Sequence, residues 1–229
     1  MSTRDTRPGT EHVRTPAGES SPRGDAIGRH LNSIDELRDA VNACKRCSLW
    51  RNATQGVPGE GPAPAELMLV GEQPGDAEDL AGHPFVGPAG SVLDRALQDA
   101  GLDRRTLFVS NAVRHFKFEP RGKRRLHAKP NAEEIEACRW WVEEELKFVA
   151  PKLVIALGAT AARSLLGHTA TVSAMRGLPT PFQGNRHLWV TIHPSYLLRI
   201  PDDVKQRAEY SRFVQDLEGA RAWLERHAK

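Results

Sequence analysis

Four short runs of apolar residues, each bounded by turn formers, punctuate the chain at 66–70, 107–109, 153–157 and 188–192. Runs this short, with little polar alternation, predict strands buried on both faces. Between and after them, apolar positions fall at helical spacing over 91–100, 132–149, 160–166 and about 203–226. In the last stretch Phe213, Leu217, Ala220 and Leu224 share one face. Ser33 followed by Glu36, ahead of Leu37, Ala40 and Val41, predicts a capping box that opens a further short helix. Cys44 and Cys47 come at the end of that helix. Strand-helix alternation predicts a parallel sheet between helix layers, and in such open sheets ligands bind beyond the carboxyl ends of the strands. That rule singles out four segments: Gly71-Glu72-Gln73-Pro74-Gly75-Asp76, Asn111 with the basic stretch after it, Gly158-Ala159-Thr160, and His193-Pro194-Ser195.

Of 229 residues, 39% are hydrophobic, enough apolar material for one medium-sized core and too little for two. A single domain over 31–229 is expected. Residues 1–30 carry neither periodicity nor bulky apolar side chains and are expected to form a disordered tail. They hold no apolar targeting core, and the chain has no run of eighteen apolar residues, so the expectation is a cytoplasmic protein with no membrane partner. A net charge of +3 is well short of a DNA-coating protein, so any nucleic-acid reading rests on where the positive charge lies. Three cysteines without an export signal argue against a disulfide framework, and Cys44-Lys45-Arg46-Cys47 has the spacing of a metal or cluster clamp.

Taken singly, the segments at the strand ends stay ambiguous. Gly71 and Gly75 around Pro74 make a tight turn that lets backbone amides approach a bound group, and equally an ordinary strand-to-helix turn. Phe85, within Gly82-His83-Pro84-Phe85-Val86-Gly87, suits either a core anchor or a stacking surface for a flat ring. His193 before Pro194 is structural or catalytic. The stretch Arg121-Gly122-Lys123-Arg124-Arg125-Leu126-His127-Ala128-Lys129 interrupts a link from strand to helix; it is a solvated charged face or a track for a phosphate backbone.

Taken in order, the Gly-Glu-Gln-Pro-Gly turn, Phe85 in Pro-Phe-Val-Gly, Asn111 and the run from His193 through Ser195, Tyr196 and Leu198 to Arg199 resemble the family 4 uracil-DNA glycosylases over residues 31–223. The resemblance implies an α/β fold, a three-layer α/β/α sandwich with a central four-stranded parallel sheet. It implies a 4Fe-4S cluster held by four cysteines, of which Cys44, Cys47 and Cys138 match three; the remaining position is His115. Imidazole replaces thiolate on cluster iron elsewhere, so three Cys plus one His suit a cluster, and a Cys3His zinc site is chemically allowed as well. The Lys-Arg-Arg-(Ile/Leu)-His pattern at Lys123, Arg124, Arg125, Leu126 and His127 further resembles the X-type (UdgX) branch of the superfamily.

That branch implies a DNA-repair enzyme, expected to be a monomer, that excises uracil, by preference from single-stranded DNA, and stays covalently joined to the sugar C1′. His127 would be the nucleophile, Glu72 its orienting base, and His193 the donor to the departing ring. Free uracil is the other product. Phe85 and Asn111 would stack on and read the base, and Gln73, Asp76 and Asp79 would position base and sugar. Lys123, Arg124, Arg125 and Arg199 would contact DNA. Two alternatives remain open at this point: a conventional family 4 glycosylase that turns over, and a catalytically silent iron-sulfur protein that binds uracil-containing DNA.

Overall fold

The computed structural model describes Met1 and residues 31–227. The tail expected over 1–30 therefore lies, Met1 apart, outside the described residues. Helix α1 (Ile34–Asn42) starts at Ser33, whose hydroxyl accepts from the Glu36 amide at 3.1 Å. The return arm of this cap reaches one residue further back than the capping-box pattern implies, with Glu36 accepting from the Asn32 amide at 2.8 Å.

The remaining elements, in chain order, are β1 (Leu67–Gly71), α2 (Asp76–Ala81), α3 (Pro88–Asp99), β2 (Phe108–Asn111), β3 (Phe118–Arg121), β4 (Arg124–His127), α4 (Ala132–Val149), β5 (Leu153–Leu157), α5 (Ala159–Leu166), α6 (Val172–Met175), β6 (Thr180–Phe182), β7 (Arg186–Thr191), α7 (Pro194–Leu197) and α8 (Asp203–Arg226). The main sheet has the order β2-β1-β5-β7-β6. The first four strands are parallel, as expected; β6 is an additional edge strand, antiparallel to β7.

Side chains alternate across a strand, and here both faces are covered. Leu67 and Leu69 of β1 pack with Leu93 and Leu97 of α3 and with Phe213 and Leu217 of α8. Met68 and Val70 pack on the other side with Val142 and Leu146 of α4 and Leu165 of α5. Burial on two faces is why these strands read as unbroken apolar runs. Each large side chain withdrawn in this way contributes about 1.5–3 kcal/mol. The result is the expected three-layer α/β/α sandwich.

The basic stretch differs from the link expected for it. It folds into an antiparallel hairpin, β3 with β4, in which Phe118 lies opposite His127 and Arg121 opposite Arg124. Gly122 takes the first position of the two-residue loop at φ +60, backbone that a side chain rarely adopts, as type II′ hairpin turns require. Helix α4 follows directly. Asn131 caps the Glu134 amide at 2.9 Å, and Glu134 accepts from the Asn131 amide at 2.7 Å.

Candidate active site

The carboxyl ends of β1, β2, β5 and β7 gather the segments singled out from sequence. Pairing of β1 with β2 brings Gly71 opposite Asn111 and continues one step further, the Val113 amide donating to the Glu72 carbonyl at 3.0 Å. Gly71 has a spatial reason to lack a side chain: a Cβ there would fall 2.4 Å from Asn111 Oδ1 and 2.5 Å from Phe85 Cζ. The Asn111 amide and the Phe85 ring therefore both lie over the end of β1. Asn111 Oδ1 is buried without a hydrogen-bond partner. An orphaned amide oxygen at a strand end is an acceptor ready for a ligand N–H.

Of its two sequence readings, Phe85 takes the core anchor. It is 5% exposed and packed in the core beneath α3, and its ring lies 5.9 Å from that of His193, at an interplanar angle of 29°. Its backbone sits at φ +57, a conformation that costs a non-glycine residue on the order of 1–3 kcal/mol and persists only where the surroundings impose it.

His193 closes β7 and caps α7. Its Nδ1 accepts from the Ser195 amide at 3.2 Å and lies 2.8 Å from Ser195 Oγ, which in turn accepts from Arg199 at 2.9 Å. A ring nitrogen that accepts a backbone amide carries no proton, so the neutral imidazole is protonated on Nε2. Burial pushes its pKa down to about 4, against the pull of Glu72, and the ring is a neutral donor at physiological pH. Arg199 is thus engaged in holding Ser195, a role its sequence position did not suggest.

Glu72, the first residue after β1, joins three elements. Its Oε1 lies 3.2 Å from His127 Nε2, and its Oε2 accepts from Thr160 Oγ1 in the first turn of α5. Burial pushes the carboxyl up, yet the hydrogen bonds from His127 and Thr160 and the nearby imidazoles outweigh it, and the group stays below its ordinary value. It is ionised at neutral pH. His127 itself is half exposed at the end of β4, 51% of its side chain facing solvent.

The hairpin carrying His127 is fixed at two places. At its base, Gln73 donates to the carbonyls of Lys117 and Ala128 at 3.2 and 3.1 Å and accepts from the Lys117 amide at 3.2 Å. On its flank, Arg125 bonds Asp76 and Asp79, each at 2.5 Å, and its guanidinium lies over the Phe116 and Phe118 rings at 5.4 and 5.2 Å. Asp79 is fully buried and also accepts from the Thr54 amide. Gln73, Asp76 and Asp79 therefore engage the hairpin, where sequence had placed them on base and sugar, and Arg125 is engaged within the protein. Lys123 and Arg124, at the tip, are exposed. Thr54, Thr160 and Ser195 complete the arrangement. Thr160 and Ser195 lay in segments that the strand-end rule singled out, but none of the three had a role from sequence, because a hydroxyl in a loop or first helical turn has no distinguishing pattern.

The proposed metal ligands are partly assembled. The Cys138 thiol beside Cys47 lowers the Cys47 pKa to about 7. Cys44 Sγ accepts from Trp141 Nε1 at 3.2 Å, and burial raises its pKa. His115 is buried, with Nδ1 unpartnered. Among the described residues no three His, Cys, Asp or Glu side chains are grouped as a metal site. The soft thiolate donors and the orphaned imidazole nitrogen suit a cluster or zinc chemically; their present arrangement is not a closed ligand set. Among the described residues no helix is long and apolar enough to cross a membrane.

Comparison with known proteins shows the family. A type-4 uracil-DNA glycosylase of Thermotoga maritima is 34% identical over 195 residues, 84% of this chain and 95% of the relative. One from Sulfurisphaera tokodaii is 31% identical over 195 residues, 82% and 86%. A type-5 uracil-DNA glycosylase of Thermus thermophilus is 29% identical over 189 residues, 68% and 83%. The model of the uracil DNA glycosylase superfamily matches residues 58–218, from the loop before β1 into α8. With the whole sheet and all four strand-end segments inside that match, the chain belongs to the uracil DNA glycosylase superfamily.

Proposed function

We propose that this protein is a DNA-repair uracil-DNA glycosylase of the X-type branch, which releases uracil and then joins itself to the DNA through His127. The observation that carries the reading is the His127–Glu72 contact at 3.2 Å, made at the strand-end mouth by a hairpin pinned at both base and flank.

The base must leave the stack before a side chain can reach its glycosidic bond. The buried Asn111 amide then has an oxygen to accept from uracil N3–H and an NH2 to donate to O4; cytosine presents the opposite pattern. As the C1′–N1 bond lengthens, positive charge gathers on the sugar and negative charge on the ring, and neutral His193 donates its Nε2 proton toward that ring. The imidazole nitrogen of His127 that is not engaged by Glu72 carries the lone pair. It forms the bond to C1′ as the uracil anion leaves, and the proton on the other nitrogen passes to Glu72. An alkylated imidazole departs poorly, so the product persists and the protein is consumed.

Single-stranded DNA is the favoured substrate in this reading, since no pairing energy opposes extrusion of the base. The exposed Lys123 and Arg124 contact its phosphates. Arg124→Ala is expected to lower the salt slope of uracil-DNA binding by about one phosphate contact. Arg125→Ala is expected to leave the slope unchanged and to slow capture, since the hairpin loses its flank anchor. Binding measured across a salt series separates the two, and equal slope changes would return Arg125 to the DNA contacts.

Cys44, Cys47, Cys138 and His115 would hold a 4Fe-4S cluster, supplying a rigid clamp on the adjoining loops; glycosidic cleavage needs no electron from it. Purified protein is expected to contain iron and acid-labile sulfide, both lost in Cys138→Ser. Stoichiometric zinc without sulfide would identify a zinc site in its place.

The experiment that tests the function mixes the protein with single-stranded oligonucleotides carrying one uracil or one thymine, followed by boiling in detergent. A protein-DNA band that survives only with uracil supports capture. Alkali-sensitive abasic product in excess over protein, with no band, would instead identify a conventional glycosylase, the activity for which the type-4 relatives are named.

A further inference from the structure

The Gly158-Ala159-Thr160 segment lies at a strand end like the other three, and the glycosylase reading gives it no task. Strand β5 is the parallel neighbour of β1, with Val70 opposite Ala156. The first turn after β5 accordingly lies beside the first residue after β1. There Thr160, 3% exposed, donates its hydroxyl to Glu72 Oε2 at 2.5 Å, while Oε1 faces His127. As the second residue of α5 it has no preceding helical turn whose carbonyl its hydroxyl could bond, and it reaches across to another element.

The terminal torsion of a glutamate is broad, so a free carboxylate turns either oxygen toward a neighbour. A buried donor on one oxygen removes that freedom. We propose that Thr160 is a positioning residue for the capture step, holding the Glu72 carboxylate so that Oε1 orients the His127 ring and receives its proton. Thr160 touches neither uracil nor sugar. The inference rests on the capture reading above and deepens it by separating the requirements of uracil release from those of bond formation to the protein.

The charged and titratable groups facing Glu72 are His127 from the hairpin and His193 from the end of β7, with Arg199 acting on His193. The Thr160 hydroxyl adds to the imidazoles in keeping Glu72 ionised. Removing it raises the proton affinity of the carboxyl.

Thr160→Val keeps the shape and deletes the donor; Thr160→Ser keeps the donor. With the full chain and a single-stranded uracil oligonucleotide, uracil release and denaturant-resistant adduct are timed separately in single-turnover reactions. The expected result for Thr160→Val is adduct formation slowed about ten- to a hundred-fold, the loss of one hydrogen bond to a charged group. Uracil release is expected to change far less, and Thr160→Ser to restore the rate of capture. Thr160→Val that captures at the wild-type rate would overturn the inference. So would parallel loss of release and capture that serine does not repair. Absence of adduct from the unsubstituted protein sinks the capture reading and this one together, whereas wild-type capture with an indifferent valine variant sinks this one alone.

Discussion

His127→Ala yields no denaturant-resistant adduct with uracil-containing DNA, and the expected change is from near-stoichiometric capture to none. The substitution removes the side chain that ends β4 opposite Glu72 and leaves in place the parts assigned to uracil release: the orphaned Asn111 amide, Phe85, and His193 with its Nε2 proton. Because half of the His127 side chain already faces solvent, the vacated space opens to water. Glu72, still bonded by Thr160, is then placed to accept a proton from a water molecule attacking C1′. The variant is therefore expected to release uracil in excess over protein, converting a consumed protein into one that turns over. Measuring free uracil beside the gel band reads both effects. Adduct that persists in His127→Ala would reject the nucleophile assignment; loss of uracil release along with the adduct would mean that His127 also serves the cleavage step.

Glu145→Ala is expected to have the largest effect on stability. Arg114 and Glu145 are both fully buried, with Arg114 Nη2 donating to Glu145 Oε2 at 2.8 Å. Arg114 also donates to Ser110 Oγ, and Glu145 Oε1 accepts from the Gly59 amide at 3.1 Å. Truncating the acid leaves a guanidinium without its counter-charge in the interior, which costs about 3–5 kcal/mol. Domains of this size have about 5–15 kcal/mol in total. Denaturant unfolding should show the unfolding free energy falling by that amount, and the paired change Arg114→Met with Glu145→Leu should recover most of it. A loss below about 1 kcal/mol would show that water or rearranged neighbours reach the guanidinium. The pair also bears on function. Arg114 lies between Asn111, the last residue of β2, and His115, so partial unfolding there is expected to weaken uracil selection before the rest of the domain gives way.

Uneven legibility along the chain has physical causes. Strands β1, β5 and β7 stood out because both their faces are buried, and α4 and α8 because one face of each is covered. The observed bounds of α4 and α8 match those expected from periodicity. Strand β6 was not foreseen: it has three residues, one of them Pro181, and owes its conformation to pairing with the edge of β7. The hairpin was hidden for a related reason. Its residues are mostly exposed, so no burial pattern marks them, and only the backbone pairing of Phe118 with His127 and Arg121 with Arg124 makes them strands.

By itself the sequence determined the parallel sheet, its helix layers and the short segments in which the chemistry had to lie, because hydrophobic period and turn residues are local signals; the superfamily came through the resemblance of those segments, taken in order, to a known family. Which side chains meet was decided only by the tertiary structure. Gln73, Asp76 and Asp79 looked like ligand-binding residues in a strand-end turn, yet they bind a hairpin more than forty positions away, and Thr160 reaches Glu72 across a separation of 88. Nothing in the local pattern encodes such pairings. They arise because the parallel order β2-β1-β5-β7 carries the ends of distant strands to one edge, and because each buried polar group there must find a partner from whichever element the sheet has set beside it.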